Sequence, residues 1–171
     1  MKKIFLLLGF IAIASSGIAQ STAKIKARAQ QMVDAILKGD YSVAIDYTYP
    51  KLVKLGGGRQ LMIDQVKKSF SEMEANGVKM TSAGIGEPGQ IKAFGKRSFS
   101  VVPESITMTN AQGAFSAKSN MLAVTEDGGT HWYFINAGTM SDATIYSLFP
   151  EIKGKIIIPK QEKPVFTPNK K

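Results

Sequence analysis

The chain has 171 residues, 44% of them apolar, and its 22 basic side chains outnumber 13 acidic ones to give a net charge of +9. This length fits one domain with a single core, and two domains would be cramped. Because the chain has no cysteine, disulfides, thiolate metal sites and an N-terminal lipid anchor are excluded. Since it also has a single histidine and its acidic residues are scattered, we expect no bound metal. The segment 84–89 has the glycine spacing of a dinucleotide site, but Pro88 and the strand pattern after it do not fit the helix that such a site requires, so we expect no cofactor.

The N-terminus, residues 1–19, has the pattern of a cleaved secretory signal. Lys2 and Lys3 precede an unbroken apolar run over 4–14, and small residues lead to Ala19, after which a peptidase would cut. A retained membrane anchor and a buried core helix are the alternatives, but the apolar run is about half of the roughly 20 residues that a span requires. The pattern predicts an exported bacterial protein, periplasmic or secreted.

The first half of the mature chain has helical spacing. Helices are predicted over 22–37, 40–49 and 59–76, where apolar residues recur at intervals of three and four. Gly39 ends the first of these helices, Asp40 is placed to cap the second, and Pro50 ends it. The glycines 56–58 form a joint before the third helix.

From Val78 onward the apolar period changes to two, which indicates strands. Strands are predicted over 78–85, 90–102, 104–110, 114–126 and 130–138, with Pro103 as one of the breaks. Short connections make successive strands antiparallel, and their length implies a strongly curved sheet whose concave face the helices cover. A brief helix over 141–149 and an edge strand over 155–158 are predicted to follow.

The mature chain divides into a domain over 20–158 and a tail over 159–171. The tail is rich in lysine and proline, which predicts an extended, solvated strap or a frayed terminus. It offers only Phe166 as an aromatic, so we expect no nucleic acid as a partner. The basic tail suits at most a weak contact with anionic components of the cell envelope.

Helices followed by a long antiparallel sheet, over about 23–158, resemble the nuclear-transport-factor-two-like superfamily, also called cystatin-like. The residues that carry the resemblance are Lys38-Gly39-Asp40-Tyr41, the run ending at Tyr49-Pro50, and the late hairpin Ala123–Phe134. The resemblance implies an α+β cone, with N-terminal helices on the concave face of a strongly curved sheet, and a homodimer formed through that sheet. The superfamily includes isomerases, hydrolases, dehydratases and non-catalytic domains, so the fold leaves the function open.

Two functions are compatible with these residues. The preferred one is an exported, non-catalytic domain that binds a small apolar or mixed-polarity ligand or a protein. Its predicted ligand-binding residues are Tyr49, Met108, Met121, Trp132 and Phe134. The alternative is an isomerase-, cyclase- or dehydratase-type enzyme with Asp46 as the base in an apolar pocket, assisted by Tyr49 or His131.

The hairpin segment 125–132 resembles the Asp-box turn of sialidase-like propellers. In that turn an aspartate binds backbone amides, glycines adopt positive φ, and a tryptophan is buried beside them. Here Asp127, Gly128, Gly129 and Trp132 occupy those positions, while His131 stands where the motif has threonine. Because the motif occurs once, we predict a structural role for it. His131, on a strand beside Trp132, is predicted to be a surface or half-buried packing residue in preference to a functional one.

Overall fold

The structure is a computed structural model that describes residues 13–169, and it is an α+β fold with N-terminal helices and a strongly curled antiparallel sheet. The helices are α1 (Ile13–Leu37), α2 (Tyr41–Asp46), α3 (Pro50–Leu55), α4 (Arg59–Ala75) and α5 (Asp142–Leu148), and a short 3-10 helix (Pro150–Ile152) follows. The strands are β1 (Lys79–Ile85), β2 (Lys92–Phe94), β3 (Arg97–Asn110), β4 (Gly113–Thr125), β5 (Tyr133–Ile135) and β6 (Val165–Pro168). The sheet order is β1-β3-β4-β5, with β2 beside β3 and β6 beside β4. The predicted fold class is confirmed.

Most of the predicted signal lies outside the described residues. Only its last part, 13–19, is described, as the first turns of α1, and this helix continues through residue 20 to Leu37. Within residues 13–169, no helix combines the length and the apolar character that crossing a membrane would require.

The β3–β4 hairpin is the centre of the sheet, and its pairing runs without a break from Ser98 opposite Thr125 to Asn110 opposite Gly113. The predicted strand break at Pro103 is therefore wrong. The carbonyl of Pro103 accepts a hydrogen bond from the amide of Gly86, at 2.8 Å. The nitrogen and the carbonyl of one residue in an antiparallel strand point to the same side. The nitrogen of Pro103 therefore faces the β1 side of β3, beyond the end of β1, and its missing N–H removes no hydrogen bond to β4.

The sheet carries a core on each face rather than the single core expected. Leu122 and Val124 of β4 belong to a cluster with α5 and the 3-10 helix, on what we call the outer face. Met121 and Ala123, which alternate with them, pack with α1 on the inner face. Successive strand residues point to opposite faces, so the sheet is the middle layer between α1 and α5.

The predicted second helix is split into two. α2 ends at Asp46, and Pro50 begins α3 instead of ending a helix, since proline fits the first helical turn. The link between them pairs with β5: the amide of Phe134 donates to the carbonyl of Tyr47 at 2.8 Å, and the amide of Tyr49 donates to the carbonyl of Phe134 at 3.1 Å. These bonds fix Tyr49 against the end of the sheet.

The C-terminal segment also differs from its prediction. Residues 155–158 form no strand, and the edge strand is instead β6, which pairs with β4 from Gly113 to Ser116. The described part of the predicted tail is thus extended, and β6 extends the sheet by one strand. Lys170 and Lys171 lie outside the described residues.

Candidate functional site

Asp46, the predicted base, lies at the end of α2 in a solvated ion pair. Its two carboxylate oxygens accept hydrogen bonds from Nε and Nη2 of Arg59, at 2.6 and 2.8 Å. These hydrogen bonds lower the pKa of Asp46, against the opposing effect of its desolvation. The environment is the reverse of the apolar pocket that would raise the basicity of a carboxylate.

His131, the predicted assistant, is an exposed member of the hairpin turn. Its amide donates to Oδ1 of Asp127 at 3.0 Å, and its Nδ1 lies 2.6 Å from Oδ2 of the same residue. These two contacts, the amide first, hold the pKa of Asp127 well below its usual range. Gly128 and Gly129 adopt φ of 71° and 93°, and Trp132 is buried beside them. The arrangement is that of a structural turn.

The five predicted ligand-binding residues do not share one site. Met121, Trp132 and Phe134 pack together against α1 as part of the inner-face core. Tyr49 belongs to the outer-face core. Met108 is half-buried near the far end of β3, opposite Met80 and Phe115. The predicted grouping therefore separates into two cores and one strand end.

Tyr49 instead belongs to a polar network built around Arg97. The hydroxyl of Tyr49 donates to Oε1 of Glu126 at 2.8 Å, and Nε of Arg97 lies 3.0 Å from the same oxygen. Nη1 of Arg97 donates to Oε1 of Glu151 at 2.6 Å, and its guanidinium lies 5.7 Å from the ring centre of Phe149. Burial, and then the bond to Glu126, raise the pKa of Tyr49 to about 12, so its hydroxyl is a fixed donor.

Arg97 also forms part of the wall of an open hollow of about 530 Å³. The hollow is lined by Phe94, Gly95, Lys96, Arg97, Glu151 and Lys155. Gly95 has φ of 62°, which lets β2 turn directly into β3. The ammonium of Lys155 lies 5.3 Å from the ring centre of Phe94, and Lys92 donates to the backbone carbonyl of Lys155 at 3.1 Å.

A buried carboxyl group, Glu104, lies on the inner face. Glu104 is 6% exposed, and Ser119 lies directly opposite it on β4. Burial raises the pKa of Glu104, and a hydrogen bond from Ser119 opposes the rise. In the part of the chain that the structure describes, Oε1 of Glu104 has no hydrogen-bond partner.

A second hollow, of about 270 Å³, lies between the end of α1, α4 and β1. Its walls include Tyr41 and Phe70, whose rings stack with their centres 5.3 Å apart. Glu74 is at the same wall, and burial followed by the charge of Glu74 raises the pKa of Tyr41. This hollow has one acidic and one basic side chain, Glu74 and Lys38, and no concentration of charge.

Comparison of the chain with protein families, with curated proteins and with solved structures gives no match. Among residues 13–169, no three or more histidine or acidic side chains converge as a metal site would require. The Arg97 hollow and the buried carboxyl of Glu104 are therefore the two features whose chemistry bears on function.

Proposed function

We propose that the protein is an exported, non-catalytic domain that binds a small anionic ligand in the hollow beside Arg97. The observation that carries this proposal is an arginine held in place at the wall of an open hollow of about 530 Å³. The curled sheet with N-terminal helices supports a second part of the proposal, membership of the nuclear-transport-factor-two-like superfamily.

The charge around the hollow favours an anion. Lys92, Lys96, Arg97 and Lys155 provide four cations at or beside its walls, against the carboxylates of Glu126 and Glu151. Such an excess attracts anions, and the attraction weakens as salt is added.

Arg97 is positioned before any ligand arrives. Its Nε and Nη1 contact Glu126 and Glu151, and none of the hydrogen bonds among the described residues uses Nη2. The side chain is 32% exposed, so the remaining N–H groups can reach a ligand. A guanidinium that is already fixed loses little conformational entropy on binding, which favours affinity.

The size and the aromatic wall specify the ligand class further. A volume of about 530 Å³ falls within the roughly 300–1,000 Å³ of small-molecule sites, and exceeds what a bare inorganic ion needs. Phe94 offers an apolar ring surface next to the cations. A small carboxylate with an apolar part fits both features.

Calorimetric titration with citrate, benzoate and inorganic phosphate tests the proposal. We expect binding of at least one carboxylate, and a loss of about tenfold or more in affinity in both Arg97→Gln and Lys155→Gln, because a charge-assisted hydrogen bond contributes about 1.5–3 kcal/mol. Lys67→Gln, an exposed lysine on α4, is the matched control and should bind as the parent does. Absence of binding by all three probes, or equal binding by all variants, would overturn the proposal.

A second candidate function, proton transfer by an isomerase-, cyclase- or dehydratase-type enzyme, is favoured by Glu104. Its burial supplies the raised pKa that acid–base chemistry requires, which Asp46 lacks. In an assay with enolisable ketones, this candidate predicts turnover that falls about 100-fold in Glu104→Gln and is unchanged in Asp46→Asn. Absence of turnover in the parent chain would reject it.

A further inference from the structure

Residues 159–169, which we call the strap, run along the edge of β4. The carbonyl of Pro159 accepts from Nδ2 of Asn120 at 3.1 Å, and the amide of Glu162 donates to the carbonyl of Lys118 at 2.8 Å. β6 then pairs with β4 in an antiparallel register. At the end, the amide of Asn169 donates to the carbonyl of Gln112 at 3.0 Å. The strap closes an edge that would otherwise present unpaired backbone groups.

The edge of β4 is shaped to the sequence of this strap. A Cβ atom on Gly113 would lie 2.2 Å from the carbonyl oxygen of Thr167, so only glycine permits the crossing. Two residues further along β4, the ring of Phe115 lies 4.8 Å from that of Phe166, centre to centre. The edge of β4 at Gly113 and Phe115 therefore fits a strand that has an aromatic residue opposite Phe115.

The far side of the strap is closed to further strands. Because the amide of Asn169 points to β4, the alternation of an antiparallel ladder turns the backbone groups of residues 164, 166 and 168 outward. Pro164 and Pro168 occupy two of these positions and have no N–H to offer. A strand cannot pair there as it does with β4, so the strap ends the sheet.

The strap is attached by backbone bonds, by an ion pair of Lys160 with Asp142 and by the Phe115–Phe166 contact, and it buries little side-chain surface. None of the four residues of β6 is buried, and Val165 and Phe166 are 66% and 45% exposed. Ile157, in the segment that leads to the strap, is 88% exposed. Segments with few buried apolar contacts open at a small fraction of the global unfolding free energy.

We propose that the edge of β4 is a strand-accepting site and that the partner it fits is the strap of a second copy, so that two copies exchange straps in a dimer. A second copy carries the same β6, whose backbone fits against Gly113 and whose Phe166 packs on Phe115. Reciprocal exchange is a closed, two-fold arrangement, and the outward prolines stop growth beyond two chains. The proposal is independent of the Arg97 hollow, and it places the dimer contact at the sheet edge.

Disulfide trapping between full-length chains tests the exchange, because the natural chain has no cysteine. Ala114 lies opposite Thr167 on the strap and opposite Thr109 on β3. We mix chains carrying Ala114→Cys with chains carrying Thr167→Cys, oxidise them, and measure the covalent heterodimer. The matched control replaces the second partner with Thr109→Cys, which faces Ala114 from a fixed strand.

Strap exchange predicts a heterodimer at least about tenfold above the Thr109→Cys control, and its loss when Gly113→Ala is added to the chain carrying Ala114→Cys. The double variant Ala114→Cys/Thr167→Cys should close within one chain under dilute conditions, which verifies the pairing. If that double variant closes but the mixed chains give no more heterodimer than the control, the strap stays in its own molecule and the proposal is wrong. A heterodimer that persists with Gly113→Ala would also contradict it.

Discussion

The two halves of the β3–β4 hairpin share one ladder of hydrogen bonds but have different surroundings. The packed half, β3 residues 98–102 with β4 residues 121–125, has a core on both faces. The open half, β3 residues 105–110 with β4 residues 113–118, has exposed polar side chains on its outer face, among them Ser105, Ser116 and Lys118. A single pair of strands therefore changes from an interior layer to a surface layer along its length.

This difference assigns the stability of the fold mainly to the packed half and the proposed strap exchange to the open half. In the packed half, Phe99 and the guanidinium of Arg97 both contact the ring of Phe149, so the hollow beside Arg97 borders the outer-face core. The open half is where β6 of the strap pairs with β4 and Phe166 contacts Phe115. The proposed ligand site and the proposed strap exchange therefore involve different halves of one sheet.

The largest effect is expected in the packed half. Phe99 is fully buried and contacts the rings of Phe94 and Phe149. Phe99→Ala should lower the free energy of unfolding by about 3–5 kcal/mol, through lost burial and the cavity left behind. Thr107→Ala, an outer-face residue of the open half, is the comparison and should cost less than about 1 kcal/mol. Urea unfolding measures both, and equal costs would remove the distinction between the halves.

Between the two halves, Glu104 should make stability depend on pH. The pKa of Glu104 is raised in the folded chain, so the unfolded chain releases the carboxyl proton at lower pH than the folded chain does. The folded state is therefore destabilised as pH rises above the ordinary pKa of 4.5, and this loss of stability is absent well below that value. Glu104→Gln should therefore raise Tm at neutral pH by about 2–4 °C, the scale of about 1 kcal/mol in a domain of this size, and should not raise it at acidic pH. A gain that is the same at both pH values would contradict the burial of an ionisable carboxyl.

Tyr49 provides a smaller effect at alkaline pH. Its pKa is raised from 10.0 to about 12, so its contribution to stability is complete below pH 10.0 and is lost as pH rises towards 12. Tyr49→Phe should cost about 1 kcal/mol at neutral pH, and the cost should shrink over that alkaline range. Chemical denaturation as a function of pH checks this, with Tyr146→Phe, at a half-buried tyrosine of α5, as the control.

The smallest effect on global stability is expected from the strap. Phe166→Ala removes a ring contact from a residue that is 45% exposed, so Tm should change by less than about 2 °C. Trypsin cleavage after Lys160 should nevertheless become several-fold faster, because the strap opens more often. A large fall in Tm with unchanged cleavage would show that the open half is as firmly packed as the other.

Local patterns in the sequence were sufficient for the longer helices and strands and for the turn over 125–132, but not for β6 or for the division between α2 and α3. The helical stripe of α1 and the alternation in β4 predicted their structures because each buries one face. Pro103 and Pro50 misled the boundaries, since a proline can face an open side of a strand or begin a helix as well as end one.

The candidate site was harder to predict because it depends on long-range contacts. Arg97 meets Glu126 and Glu151 only through the fold, and no local spacing joins them. Glu104 did leave a signal: it interrupts the alternating apolar positions Val102, Ile106 and Met108. This alternation can be recognised only if β3 is treated as one strand that includes Pro103, and not as two strands separated by it.

Amide chemical-shift mapping by NMR, while benzoate is added to the full chain, tests the anion site most directly. We predict that the largest shifts occur at Phe94, Gly95 and Lys96 and that they are lost in the Lys155→Gln variant. The largest shifts at the lysines of the strap, or shifts around Phe94 that persist unchanged in Lys155→Gln, would contradict an anion site beside Arg97.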